Sequence, residues 1–89
     1  MHFEWDDDKN LVNRAKHHVF FYEAQLAFAD PQRVIARDNG HSEGEERYYC
    51  FGKVQGGVLT VRFTYRSDAI RIIGAGYWRK EKAVYEAKN

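Results

Sequence analysis

The sequence predicts an α+β domain in which an N-terminal strand and two helices pack on an antiparallel β-meander, with a C-terminal helix closing the chain. Three observations predict it. Tyr48 to Val54 and Val58 to Tyr65 alternate with the period of a strand and flank Gln55-Gly56-Gly57, a hairpin turn. Ser67-Asp68 then turns the chain into Ile70 to Ala75, a third strand of the same meander. The helical signals lie before and after this meander, not between its strands, which separates it from an alternating α/β pattern.

The elements follow in order. His2 to Trp5 reads as a short strand. Asp6-Asp7-Asp8 then supplies a capping residue and first-turn acids for a helix. Leu11, Val12 and Ala15 give that helix its apolar stripe, to about His17. A second helix is expected from Tyr22 to Phe28, with Phe21, Ala24 and Phe28 facing inward, and Asp30-Pro31 stops it. Val34-Ile35-Ala36 reads as a short strand, and Asp38 to Glu46, polar with two glycines, as a loop. From Trp78 to Ala87 the chain reads as helix, with Ala83, Val84 and Tyr85 among charges.

With 89 residues, the expectation is one domain over 1–89. Aromatic residues make up 16%, more than so small an interior needs, so part of them is expected at a binding surface. The single cysteine, Cys50, excludes an intrachain disulfide and offers no metal-ligand pair. The start, acidic at Glu4-Trp5-Asp6-Asp7-Asp8, does not have the basic-then-apolar order of a signal peptide, and no apolar run reaches membrane-spanning length. A cytoplasmic location without membrane contact is the expectation. The net charge of +1 hides an asymmetry. Residues 1–46 hold five Lys/Arg against ten Asp/Glu, and residues 47–89 hold nine against three. The second half therefore points to an anionic partner, unless the two halves neutralise each other in the fold.

Strand alternation gathers those charges. Leu59, Val61, Phe63 and Tyr65 share one face, and Thr60, Arg62, Thr64 and Arg66 the other. A two-residue turn at Gln55-Gly56 or at Gly56-Gly57 gives the same parity. In either case Arg47, Tyr49, Phe51 and Lys53 join Arg62 and Arg66 on the open face, and the Ser67-Asp68 turn sets Thr64 opposite Arg71. A bulge would break this construction. As read, the face holds five cations around two rings with no acid among them. Such a face suits a polyanion whose bases stack on the rings. Its alternative is a solvated face, or one paired with the acidic first half.

Other segments are less specific. Lys16-His17-His18 ends the first helix, where a basic tip is favoured by the helix dipole, and His17 is also a candidate acid or base. His41-Ser42-Glu43-Gly44-Glu45-Glu46-Arg47 reads as a solvated loop, with Glu46 able to bridge to an arginine and no zinc-type spacing. Gly74-Ala75-Gly76-Tyr77-Trp78-Arg79-Lys80 lacks the spacing of a dinucleotide or phosphate loop. There Tyr77 has the parity of Arg71, Trp78 reads as a docking residue, and Arg79, Lys80 and Lys82 extend the basic surface. No cofactor or metal site is expected.

Several runs together resemble the BrnT toxins of bacterial toxin–antitoxin pairs. They are Phe3-Glu4-Trp5-Asp6 with Lys9, Asn10 and Asn13; Lys16-His17 with Val19, Phe21, Glu23 and Ala24; Asp30-Pro31; His41 through Arg47; Gly52; Arg66; Arg71-Ile72-Ile73; and Tyr85-Glu86. The ordered set spans nearly the whole chain. The resemblance implies a RelE-like fold, an endoribonuclease that cleaves RNA without metal and inhibits translation, and a cognate antitoxin. That antitoxin would be of the ribbon-helix-helix type and would carry the operator-DNA contact. Arg66, Arg71 and His17 become the catalytic candidates, and Lys16, Arg47, Tyr49, Arg62, Tyr77 and Arg79 the RNA-binding ones. In such a mechanism the 2′-hydroxyl attacks the adjacent phosphate, with His17 or an arginine-perturbed tyrosine moving the proton. The chain departs from the family where many members read Ile-Ser-Ala-Arg and it reads Ile73-Gly74-Ala75-Gly76, so Arg79 or Tyr77 would have to replace the missing arginine. The rival expectation is a non-catalytic nucleic-acid-binding module or an inactivated toxin acting through its partner.

Overall fold

In the computed structural model, residues 2–89 are described, and the first strand pairs with the last one of the sheet. Strand β1 (His2–Glu4) pairs in parallel with β5 (Ala69–Gly76), with Glu4 beside Arg71. The meander itself is antiparallel: β2 (Val34–Arg37) pairs β3 (Tyr48–Val54), β3 pairs β4 (Gly57–Arg66), and β4 pairs β5. The five strands form one mixed sheet in the order β1-β5-β4-β3-β2. Of the two possible hairpin registers, the turn uses Gln55-Gly56, setting Val54 opposite Gly57. Gln55 (φ 50°) and Gly56 (φ 84°) are both left-handed, the geometry of a type I′ turn that matches the strand twist.

Helix α1 (Asp7–His17) begins as expected, with Asp6 Oδ1 accepting from the Asp8 and Lys9 amides. Its packing corrects the predicted stripe. Leu11 and Val12 are 61% and 52% exposed, Ala15 is exposed too, and the residue that α1 buries is Asn13. Because β1 has only three residues, the outer edge of β5 past Arg71 has no strand to pair with. Asn13 fills the role: Oδ1 accepts from the Ala75 amide at 3.1 Å, and Nδ2 donates to the Ala75 and Val19 carbonyls at 2.9 Å each. A backbone edge satisfied by a carboxamide selects a polar residue where periodicity predicts an apolar one.

Helix α2 (Phe21–Ala24) runs on as a 3₁₀ turn over Gln25–Ala29, so the expected second helix is present but tightens halfway. Phe21, Ala24 and Ala27 are buried, and Phe28 packs edge-on against Phe63. The 3₁₀ turn lies directly on β3, where a Cβ at Gly52 would run into the Ala27 carbonyl. These residues, with Cys50, Leu59, Val61, Ile70 and Ile72, form the main core on one face of the sheet.

The other face is not open along its whole length. Helix α3 (Arg79–Lys88) lies on it, and Tyr85 forms a second cluster with Phe51 and Val58. Phe51, expected as an exposed ring, is only 3% exposed. A latch holds α3 down: Asp30 Oδ2 accepts from the Tyr85 hydroxyl at 2.6 Å and from the Lys53 amide at 2.8 Å. The Tyr85 hydrogen bond foremost, then the backbone amides of Lys53 and Gln32, hold the Asp30 carboxyl below the usual carboxylate range. Of the described residues, no helix is long and apolar enough to cross a membrane.

Candidate nucleic-acid interface

What α3 leaves uncovered is a concave patch of sheet. Strand register sets its rows: Arg47 lies next before β3, Thr64 and Arg71 face each other on β4 and β5, and the next row is Tyr49, Arg62 and Gly74. The row under the start of α3 is Phe51, Thr60 and Gly76. The hairpin parity therefore holds as far as Arg71. Beyond it a bulge intervenes, because Phe63 faces Ile72 but Arg62 faces Gly74, and Ile73 is skipped. The one-residue shift removes Tyr77 from the row of Arg71. Its ring lies on Gly57 and its hydroxyl donates to the Val54 carbonyl at 3.3 Å.

Acids from elsewhere in the chain reach this face, which corrects the expectation of cations alone. Arg71 Nη1 lies 2.9 Å from Glu4 Oε2, Arg66 3.5 Å and Arg47 3.9 Å from Glu45, and Arg62 3.8 Å from Asp38. Glu46 bridges to Arg37 at 3.4 Å. Strand parity sees only the residues inside the strands, whereas these carboxylates come from β1 and the 38–46 loop. Only the Arg71–Glu4 contact has the length of a charge-assisted hydrogen bond. The looser pairs of Arg47 and Arg66 with Glu45, both partly exposed, are worth at most about 1 kcal/mol each, so a phosphate can exchange with that carboxylate.

Two grooves meet at Arg62. The first, of about 440 Å³, runs between the 38–46 loop and the start of α3; His41, Tyr49 and Thr60 line it from the loop and sheet, and Trp78, Arg79, Lys80 and Glu81 from the start of α3. The second, of about 310 Å³, runs along α1 past Lys9, Lys16 and His17 to Ile73 and Gly74. Arg62 belongs to both. Trp78 forms the partition: its ring stands edge-on to His17 at 5.1 Å and covers Gly76, where a Cβ would come within 2.6 Å of the indole. The glycine at 76 is thus the condition for the tryptophan at 78.

The structure therefore brings Arg62, Tyr49 and Arg79 to one groove, and Lys16 and His17 to the other. Arg47 and Arg71 occupy the adjoining row, Arg66 lies farther out by the β4–β5 turn, and Tyr77 is outside the patch. Tyr49 and Tyr77 are not activated as bases. Burial foremost, and then Asp38, push the Tyr49 hydroxyl up, and burial does the same to Tyr77. Burial also pushes the Cys50 thiol up to about 12, which removes it as a nucleophile. Among the described residues no group of three His, Cys, Asp or Glu is placed to hold a metal ion.

Sequence reasoning missed the pair at the rim of the first groove. Asp38 is buried, and its carboxylate accepts from His41 Nδ1 at 3.0 Å and from the Gly40 amide at 3.2 Å. Burial pushes this carboxyl up, but the His41 hydrogen bond and charge, helped by the Tyr49 hydroxyl and Arg62, outweigh it and hold it below the usual range. The available signal was Asp38-Asn39-Gly40-His41 itself, an Asx-type turn that returns the fourth side chain to the first.

Among curated proteins none matches the chain. The family model described as the ribonuclease toxin, BrnT, of type II toxin-antitoxin systems matches residues 5–82, which include every residue lining the two grooves, and the chain belongs to that family.

Proposed function

We propose that this chain is an endoribonuclease that cleaves RNA without a metal ion, inhibits translation when free, and is neutralised by a cognate antitoxin. In this reading the fold is RelE-like and the antitoxin is a ribbon-helix-helix protein that carries the operator-DNA contact. The observation that carries the reading is Arg62 shared by two grooves in whose lining Lys9, Lys16, His17, Arg79 and Lys80 outnumber the acids Asp8 and Glu81. The guanidinium holds the scissile phosphate and offsets the charge that builds on its oxygens. Arg47 and Arg66 exchange Glu45 for flanking phosphates of the strand, and Arg71, held by Glu4, offers its remaining N–H donors to the same strand. Tyr49 and Trp78 are the rings available for base stacking in the first groove. His17 takes part in proton transfer from the 2′-hydroxyl.

Expression without antitoxin, followed by mapping of RNA 5′ ends, tests this. Wild-type protein is expected to arrest growth and create new ends, and Arg62→Ala to lower cleavage about 100-fold or more, as loss of a transition-state donor does. The Arg66→Ala/Arg71→Ala protein is expected to be folded and to have lost growth arrest. Undiminished arrest by either folded variant refutes this assignment of the site. Soluble wild-type protein in healthy cells with intact RNA supports instead a binding module or inactivated toxin, the reading favoured by the glycines at 74 and 76.

A further inference from the structure

The proposed cleavage needs two proton transfers, and His17 supplies one. As the O2′–P bond forms, the 2′-hydroxyl gives up a proton; as the P–O5′ bond breaks, the leaving oxygen must receive one. The products are a 2′,3′-cyclic phosphate and a free 5′-hydroxyl, with no net gain or loss of electrons. In-line displacement puts the two proton-transfer groups on opposite sides of the phosphorus. Arg62 is shared by two separate grooves, one along α1 that holds Lys16 and His17 and one that holds His41, so the two histidines reach it from different grooves.

Resting on that ribonuclease reading, we propose that His41 is the second catalytic residue, the proton donor to the leaving 5′ oxygen, with Asp38 as its positioning residue. His41 lines the groove that Arg62 shares, and its ring is held, not free. Asp38 is ionised and can only accept, so the 3.0 Å contact fixes the proton on Nδ1 and leaves Nε2 to face the groove chemistry. The loop that carries both residues is pinned to the sheet. The Asp38 amide donates to the Arg47 carbonyl at 2.8 Å, Ser42 Oγ to the Asp38 carbonyl at 2.6 Å, and Thr64 Oγ1 to the Glu46 carbonyl at 2.7 Å. Around the imidazole stand Asp38 on its own turn, Tyr49 and Arg62 from the sheet, and Arg79, Lys80 and Glu81 from α3. Asp38 supplies the negative charge that an imidazolium needs beside it among those cations. His17 makes no ion pair among the described residues and rests on the Trp78 edge, which suits the base.

The test is single-turnover cleavage by the purified full chain of an RNA oligonucleotide and of the same RNA with sulfur in place of the scissile 5′ oxygen. A thiolate leaves without a proton. His41→Ala is expected to cut ordinary RNA about 100-fold or more slowly and the sulfur-bridged RNA at close to the wild-type rate. His17→Ala is expected to be slow on both. Asp38→Asn is expected to slow ordinary RNA less than His41→Ala and to displace one limb of its pH–rate profile, which a purely structural defect would leave in place. If folded His41→Ala cuts both substrates like wild type, or loses equally on both, the role is overturned while the ribonuclease reading stands. If wild-type protein cuts neither substrate, the ribonuclease reading falls and this inference with it.

Discussion

The two faces of the sheet differ in how completely they are satisfied. On the face under α1 and α2, Phe21, Leu59, Val61, Phe63 and Ile72 are buried against one another, and the one buried polar side chain of α1, Asn13, has all its partners. On the opposite face, among the described residues, Arg47 Nε, Thr60 Oγ1 and Arg62 Nε are buried without hydrogen-bond partners. All three belong to the strand parity that carries the two grooves. Buried polar atoms without a protein partner cost stability, and here they fall on the face of the grooves and not on the face of the main core. The difference separates a face whose polar groups are satisfied from one that keeps unmet donors and acceptors within a single sheet.

The largest expected effect tests the first half of that comparison. Phe63→Ala removes a fully buried ring from the centre of the main core and should cost about 3–5 kcal/mol, measured by urea unfolding. A loss comparable to that of Arg62→Ala, which the comparison expects to be small in stability and large in cleavage, would break the distinction. Next comes Asn13→Ala. It leaves the Ala75 amide and carbonyl and the Val19 carbonyl without partners and should cost about 1–3 kcal/mol, with faster amide exchange along the β5 edge. Exchange unchanged at Ala75 would show that the carboxamide is not what closes that edge.

The smallest effect is the most specific. Tyr85→Phe removes the main cause of the depressed Asp30 carboxyl and loosens α3 over Phe51 and Val58. A carboxyl depressed in the folded state contributes stability above its unfolded value, near the ordinary carboxylate range, and loses it as pH falls through the folded value. The gap in stability between wild type and Tyr85→Phe should therefore be widest near neutrality and close as pH drops below about 4. A gap constant with pH would mean that Asp30 does not latch the helix.

The hairpin pair of strands and the face of each residue within it were legible from alternation and turn chemistry. Arg62, Thr60, Tyr49 and Arg71 are where parity puts them. Legibility stopped at Ile73, since a bulge has no signature in an otherwise apolar strand and shifts everything after it, Tyr77 included. It also failed for Phe51, which parity assigns to the open face and α3 then covers. Leu11 and Val12 obeyed a helical period without facing the core, because the contact α1 makes is polar.

By itself the sequence determined the α+β class, the meander with its faces, and the membership in a ribonuclease toxin family, since alternation, turn propensity and ordered motifs are carried by residues close along the chain. Only the tertiary structure decided which carboxylates meet which arginines, which rings stay uncovered, and that Arg62 is shared by the groove His41 lines and the groove His17 lines. Those arrangements join residues dozens of positions apart, and their partners are chosen by how helices and loops settle on the sheet, a property that no local period encodes.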